Sequence, residues 1–396
     1  MSNAPSPTPD HAGIDDHGGS PFPIVGILGG GQLGRMMAAA ALPLGVQVRF
    51  YQDDDTGPSS AAAHVITAPW DDVEALRRFL DGCDVVTLDN EWVDLRTIVE
   101  LLPEGVHLWP SSNTMALVSD KGRQKDHARA LGLPVGSYRV CEDLDAALRA
   151  GQELGYPLVA KRPRHSYDGY GNRTVRDEAD LRAAHAGLAG EDGRLLLEAF
   201  VDFVRELAVV VARRPGGEDV VYPVAATVQR DHRCDAVEVP APVSAAVIEG
   251  AAELARRAAA AYDCVGAVGV ELFELHDGTL LLNEIAPRPH NSGHYTIDAC
   301  ITSQFENHLR AVLDLPLGSP ALVRPAAVMV NVLGHREGSS SAASLARALS
   351  VPTASIHLYG KHHVRPGRKM GHVTAIADTL DDARAIARKA ADRLRL

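Results

Sequence analysis

The sequence predicts a doubly wound parallel α/β layer followed by a larger α+β region, and three observations carry that expectation. Short apolar runs over 24–28, 46–51 and 85–88 alternate with amphipathic stretches over 33–42 and 73–80, the rhythm of a parallel sheet covered on both faces. A glycine turn separates the first strand from the first helix. Beyond residue 200 the pattern changes to long strand candidates over 206–212, 220–226, 265–275 and 279–286, interrupted by an alanine-rich helix over 244–262, as antiparallel pairing requires.

Between these regions the sequence predicts a helix over 144–154, a strand over 158–161, a glycine-rich loop over 166–172, a helix near Leu181 and a strand over 195–199. The tail offers strands over 328–333 and 372–377 and a helix over 381–394. At 396 residues the chain exceeds what one core organises. The expected division is a disordered tail 1–21, an N-terminal domain 22–120, a central domain 121–316 containing a subdomain at about 126–203, and a small C-terminal domain 317–396 packed on the central one. Pro110 to Ser112 and the polar run 119–126 mark the first boundary.

Composition narrows the function. Apolar residues make up 46% of the chain, and no stretch approaches the roughly 20 consecutive apolar residues of a membrane span. Residues 1–21 lack the apolar segment of a secretory signal, so a soluble cytoplasmic protein with no membrane partner is expected. The five cysteines are scattered without C-x-x-C spacing, against a zinc site or a disulfide framework. A net charge of −12 repels nucleic acid. The one basic run, Lys361-His362-His363-Val364-Arg365-Pro366-Gly367-Arg368-Lys369, suits a small phosphorylated molecule better than a duplex.

Gly29-Gly30-Gly31-Gln32-Leu33-Gly34 fits G-x-G-x-x-G between strand and helix, with Asp53-Asp54-Asp55 about 20 residues on. Glycines let backbone amides approach an anion at a helix N-terminus. A dinucleotide, another phosphate ligand or a tight structural turn all satisfy the pattern.

The segment from Val270 to Glu284 carries more. Asp277-Gly278 is a strong hairpin signal, and a turn centred there sets Glu271 opposite Glu284. Opposed carboxylates repel unless a cation lies between them. Oxygen ligands with room for water and phosphate suit Mg2+, and Asn291 beyond the strand could complete the set. An exposed hairpin edge with two solvated glutamates is the plain alternative. Lys161, at the end of an apolar strand before the Gly169/Gly171 loop, outlines a phosphate clamp.

Lys161, Ser166-Tyr167-Asp168-Gly169-Tyr170-Gly171, Glu198, Glu206, Glu271 and Asn283-Glu284 occur in the order found in ATP-grasp enzymes, which the chain therefore resembles. The resemblance implies a pre-ATP-grasp N-terminal domain and an ATP-grasp domain of two α+β subdomains with ATP between them. It assigns ATP to Lys121, Lys161, the loop Ser166, Tyr167, Asp168, Gly169, Tyr170, Gly171 and Asn172, the segment Glu198, Ala199, Phe200 and Val201, and Glu206, Gln229, Asn283 and Glu284. Metal falls to Glu271 and Glu284, to which the residue reading adds Asn291.

Two further segments, Asn283 to His294 and Val364 to His372, together with the opening Gly-Gly-Gly-Gln-Leu-Gly-Arg-Met, resemble the N5-carboxyaminoimidazole ribonucleotide synthetase family over nearly everything beyond residue 22. What this implies is an ATP-dependent carbon–nitrogen ligase of purine biosynthesis that carboxylates 5-aminoimidazole ribonucleotide with bicarbonate through carboxyphosphate. Its ribonucleotide site would comprise Gly31, Gln32, Leu33, Glu91, Tyr167, Asp168, Arg288, His290, Asn291, Lys361, Arg368 and Lys369. Asp168, Arg288, His290 and Lys369 would carry the chemistry, and a homodimer is implied. The chain departs from the family at Tyr170, where a basic residue is usual and Arg164 and Arg173 are the candidate replacements, at Gln229 for a frequent His, and at Asp89-Asn90-Glu91 for E-x-E. The rival readings are a formate-dependent ribonucleotide transformylase, an NAD-dependent oxidoreductase and a catalytically silent nucleotide-binding regulator.

Overall fold

The computed structural model describes residues 22–396 except 55–56, 62–63, 92, 165–170, 191, 231–232, 340–341 and 395. The expected tail 1–21 lies outside the described residues. The N-terminal layer is a five-stranded sheet in the order Val65–Thr67, Gln47–Gln52, Ile24–Leu28, Val85–Leu88, His107–Leu108, and every neighbouring pair is parallel. Val25, Ile27 and Leu28 of the central strand are fully buried, as strands covered on both faces must be. The helices Gln32–Ala41 and Val73–Leu80 supply that cover.

A second, antiparallel sheet runs Tyr138–Cys141, Leu195–Ala199, Leu158–Lys161, Asn172–Val175. Helices Leu144–Leu154 and Glu178–Leu188 pack on it, opened by Asp143 and Asp177, whose carboxylates accept from Ala146 N and Asp180 N. Leu158, Ala160, Leu181, Leu195 and Leu197 form its own buried core.

The largest sheet has nine strands. Its path is Leu280–Ala286, Gly266–Leu275, Phe203–Arg213, Ala225–Arg230, Arg233–Val239, Ala326–Leu333, Lys369–Ala377 and Ala354–Leu358, with Asp219–Val221 paired onto Phe203–Arg213. All these pairings are antiparallel. The C-terminal region joins by sharing this sheet, Ala236 pairing with Val330. Helix Ala245–Ala261, capped by Ser244, buries Val247, Ala251, Leu254, Ala255 and Ala258 against it.

One expectation needs correction. The strand over 220–226 is two strands, divided at Tyr222-Pro223-Val224, because Pro223 has no N–H to give to a ladder. The polar run 119–126, expected to mark the first boundary, opens a helix there, Lys121–Ala130. Its low hydrophobicity hid it. Asp120 specifies it by accepting from Gly122 N and Arg123 N at 3.0 and 3.1 Å.

Candidate functional site

The three sheets face a common cleft of about 2080 Å3, room for more than one small ligand. Its floor is the hairpin Gly266–Leu275/Leu280–Ala286. Glu271 does pair with Glu284, by a route the sequence did not reveal. The tip is a three-residue loop closed by Leu275 N to Thr279 O, with Gly278 at φ 82°, so the ladder begins one residue out of the expected register. A bulge at Asn283 restores it. Because a bulge aims two successive residues toward one face, Asn283 joins Glu284 beside Glu271, its Nδ2 donating to Glu271 Oε2 at 3.3 Å. Asn283 Oδ1 is buried with no hydrogen-bond partner.

Lys121 Nζ lies 2.5 Å from Glu284 Oε2. Burial would raise the Glu284 carboxyl, but Lys121 and then Lys161 outweigh it and hold it below the usual range. Glu271 moves the other way, pushed up first by burial and then by the negative charge of Glu284 and Glu206. Its side chain keeps 37% of its surface exposed in the cleft, so solvent moderates the push.

In the four-stranded sheet, Glu198 sits between two ammonium groups, Lys161 at 2.8 Å and Lys125 at 3.1 Å. Burial favours its neutral form, yet Lys161 and Lys125 lower it to about 2. Lys161 is raised above its usual range because Glu198 overrides its burial, whereas at Lys125 burial wins and the pKa falls. Lys121 and Lys125 share a helix face at i, i+4. That helix is fastened to the hairpin by Gln124, whose side chain accepts from Ile285 N at 3.2 Å and donates to Ile285 O at 2.9 Å. Farther along the wall, Glu206 accepts from Gln229 Nε2 at 2.6 Å, and Phe203 stacks on Phe273 with centroids 4.6 Å apart.

The glycine turn lines the cleft through Gly31, Gln32 and Leu33. An anion does meet its amides, and it belongs to the chain: Asp89 accepts from Gly31 N at 2.9 Å and from Gly34 N at 2.6 Å. A Cβ on Gly31 would stand 2.1 Å from Asp89 Oδ2, so the glycine serves that contact. These two amides are taken by the chain's own carboxylate, as in the structural-turn alternative. Nearby, Arg288 Nε reaches Glu91 Oε1 at 2.6 Å, joining the N-terminal layer to the turn after the hairpin.

The opposite wall presents Lys361, Arg365, Arg368 and Lys369. Lys361 Nζ donates to Lys369 O at 2.9 Å and Arg368 Nη1 to His363 O at 2.7 Å, which fixes the run's shape. His290 reaches across with Nε2 3.5 Å from Glu271 Oε1, and Gln304 holds its backbone through His290 N and O. A side chain on Gly269 would strike His290, its Cβ 2.4 Å from the His290 Cβ. Asn291, expected to complete the metal set, is instead committed to Asn331 by reciprocal amide bonds of 2.9 and 2.8 Å. Asn283 is the amide at the acidic pair.

Residues 23–119 match the ribonucleotide synthetase preATP-grasp domain, 126–305 the ATP-grasp domain and 327–386 the phosphoribosylaminoimidazole carboxylase C-terminal domain. An N5-carboxyaminoimidazole ribonucleotide synthase of Synechococcus elongatus is 42% identical over 357 residues, 90% of each chain. This chain belongs to the N5-carboxyaminoimidazole ribonucleotide synthase family. Two structures from Aspergillus clavatus agree. The carboxyaminoimidazole ribonucleotide synthase complexed with ATP has a TM-score of 0.84 at 39% identity over 94% of this chain and 99% of that one. The N5-carboxyaminoimidazole synthase in complex with ADP and 5-aminoimidazole ribonucleotide has a TM-score of 0.85 at 38% identity over 94% and 98%.

As a synthase of this family the chain is an ATP-grasp, ATP-dependent ligase that carboxylates 5-aminoimidazole ribonucleotide in purine biosynthesis. Of the residues expected in the synthase site, Lys121, Lys161, Asn172, Glu198, Ala199, Phe200, Val201, Glu206, Gln229, Glu271, Asn283, Glu284, Arg288, His290, Asn291, Lys361, Arg368 and Lys369 line the one cleft, with Glu91. Gly171, at φ 85°, directly precedes the lining Asn172 and accepts at its carbonyl from Arg162 N. Ser166, Tyr167, Asp168, Gly169 and Tyr170 lie outside the described residues. Sequence reading missed Lys125, Gln124 and Asp89. Lys125 alone had a local signal, its spacing from Lys121.

Proposed function

We propose that this synthase uses bicarbonate as carboxyl donor, with ATP and Mg2+ meeting at the acidic hairpin. The carrying observation is the pairing of Glu271 with Glu284 beside the unpartnered Asn283 Oδ1: two opposed carboxylates and a spare carbonyl oxygen form a hard-cation ligand set. Glu271, Glu284 and Asn283 are the groups that would hold Mg2+. When bound, the ion neutralises phosphate oxygens and eases charge build-up on the γ-phosphoryl group.

Lys121 and Lys161 then bring positive charge to the phosphates, and the strand edge from Glu198 to Val201 meets adenine, with Glu206 on the ribose. A bicarbonate oxygen attacks the γ-phosphorus, the bond to ADP breaks, and carboxyphosphate forms. The ribonucleotide amine attacks its carboxyl carbon, the bond to phosphate breaks with its electron pair leaving on phosphate, and the amine proton passes to a base. Asp168 is the residue proposed for that proton, with Arg288 and His290 flanking the carbon. Lys361, Arg368 and Lys369 clamp the ribonucleotide phosphate by charge-assisted bonds. Positioning and charge neutralisation supply most of the rate.

The domain limits proposed are 22–120, 121–316 and 317–396, with the subdomain at about 126–203 closing over ATP to exclude water from carboxyphosphate. Association as a homodimer would cover exposed apolar side chains such as Ile301 and Val323, 64% and 48% exposed on neighbouring bridged segments. No helix among the described residues is long and apolar enough to cross a membrane, and the ATP requirement suits the cytoplasm.

The deciding measurement is ADP and phosphate release with ATP and Mg2+, with bicarbonate or formate, and with or without 5-aminoimidazole ribonucleotide. Release that needs both bicarbonate and ribonucleotide for a carboxylated product is expected. Turnover with formate in place of bicarbonate would overturn the donor.

A further inference from the structure

Behind the basic wall of the cleft lies a cluster of side chains that the carboxylation leaves without a task. His357, on strand Ala354–Leu358, pairs directly across the ladder with His372 on strand Lys369–Ala377. Their rings lie nearly parallel with centroids 4.6 Å apart. Asp298, in the short helix Thr296–Ala299, sets its Oδ2 2.9 Å from His357 Nε2. Among the described residues, Asp298, His357 and His372 are the one group of potential metal ligands whose donor atoms all lie within 4.8 Å of one another.

His372 points to an occupant. It is fully buried, its Nδ1 is 3.1 Å from the Tyr359 hydroxyl, and its Nε2 is buried with no hydrogen-bond partner. Leaving such an atom unsatisfied costs about 1–3 kcal/mol. When the Tyr359 oxygen accepts from Nδ1–H, Nε2 carries the free lone pair, the tautomer that a metal-binding histidine takes when a second group holds its other nitrogen.

We propose that Asp298, His357 and His372 form a binding site for one divalent transition-metal ion of the Zn2+ type, through two imidazole nitrogens and one carboxylate oxygen. That donor set with an open fourth position is the one such ions prefer. Tetrahedral coordination at about 2.1 Å brings ligand atoms to roughly 3.4 Å from one another, so the cluster must tighten and the near-parallel rings must tilt. His357 and Asp298 have 27% and 20% of their side chains exposed, which gives the ion an entrance. Bound there, the ion would tie the strand that begins at Lys369 to the strand leading to Lys361 and to the helix that follows His290. Its role is to brace the ribonucleotide wall.

The test is a Co2+ titration of the untagged full chain in excess Mg2+, which keeps the hairpin carboxylates occupied. One equivalent should give the visible absorption of low-coordinate Co2+, and Zn2+ should abolish it while raising the melting temperature. Asp298→Asn and His357→Gln should each weaken Zn2+ binding at least about tenfold and leave ADP-forming turnover without added transition metal unchanged. Either variant suffices if the other does not fold. Glu271→Gln should keep the Co2+ signal. Absence of a stoichiometric signal, wild-type affinity in the Asp298 and His357 variants, or loss of the signal in Glu271→Gln would each overturn the proposal.

Discussion

Two acidic centres stand within the same cleft and are built on opposite principles. At Glu198 one carboxylate faces two ammonium groups, Lys125 and Lys161. At the hairpin two carboxylates, Glu271 and Glu284, share one close ammonium group, Lys121. The first centre has surplus positive charge and suits an anionic or electron-rich ligand. The second has surplus negative charge, and a cation is what it lacks. Chemically identical side chains thus acquire opposite tasks from their neighbours. That difference is what the proposed placement of the cation at the hairpin rests on.

The strongest way to break the contrast is Glu284→Gln, which removes half of the negative pair and leaves Lys121 uncompensated. Turnover should fall by about 10²–10³-fold, measured as ADP release across a Mg2+ titration, and near-normal activity would remove the hairpin from the mechanism. Lys161→Met strips the Glu198 centre of its nearer cation. Breaking a buried pair of this kind costs about 3 kcal/mol, to be read by urea unfolding, and the KM for ATP should rise with it. Lys369→Ala tests the far wall. Losing a charge-assisted bond of about 1.5–3 kcal/mol should raise the KM for the ribonucleotide by roughly 10–100-fold while the KM for ATP stays put.

A gentler test uses pH. Glu198 is held at about 2, so its stabilisation is complete above the unfolded value near 4.5 and is lost as pH falls from there toward 2. Glu271 is raised, so the folded chain holds its proton more tightly than the unfolded one, and stability falls as pH climbs above about 4.5. Glu271→Gln should therefore stabilise the metal-free protein at neutral pH, by less than about 1 kcal/mol given solvent screening, while lowering activity. Melting curves from pH 4 to 8 without Mg2+ check this. No stabilisation would mean that Glu271 carries no strain.

Local chemistry was legible and long-range partnership was not. The parallel layer, the hairpin and the alanine-rich helix each announce themselves through period, turn residues or caps. The Glu271–Glu284 pairing came out right although the turn has three residues, because the bulge at Asn283 cancels the error. Pro223 was a local signal that went unused. Asp89 could not be foreseen as the anion on the glycine turn, since more than 50 residues separate it from Gly31 and Gly34, and G-x-G-x-x-G specifies amide geometry without naming who supplies the charge. The Asn291–Asn331 pair hid for the same reason.

The shared nine-stranded sheet has a mechanical corollary. Laid flat, the rungs from Gly266–Leu275 to Lys369–Ala377 would set their strands roughly 24 Å apart at about 4.8 Å each. Yet Glu271 and Lys369 border one cleft. The sheet must therefore curl back on itself as a bent bow does, with the Asn291–Asn331 clasp strung between its limbs. With donor and acceptor placed as proposed, curvature sets the reach between them, and substitutions at the Val237–Met329 rung would alter it from a distance.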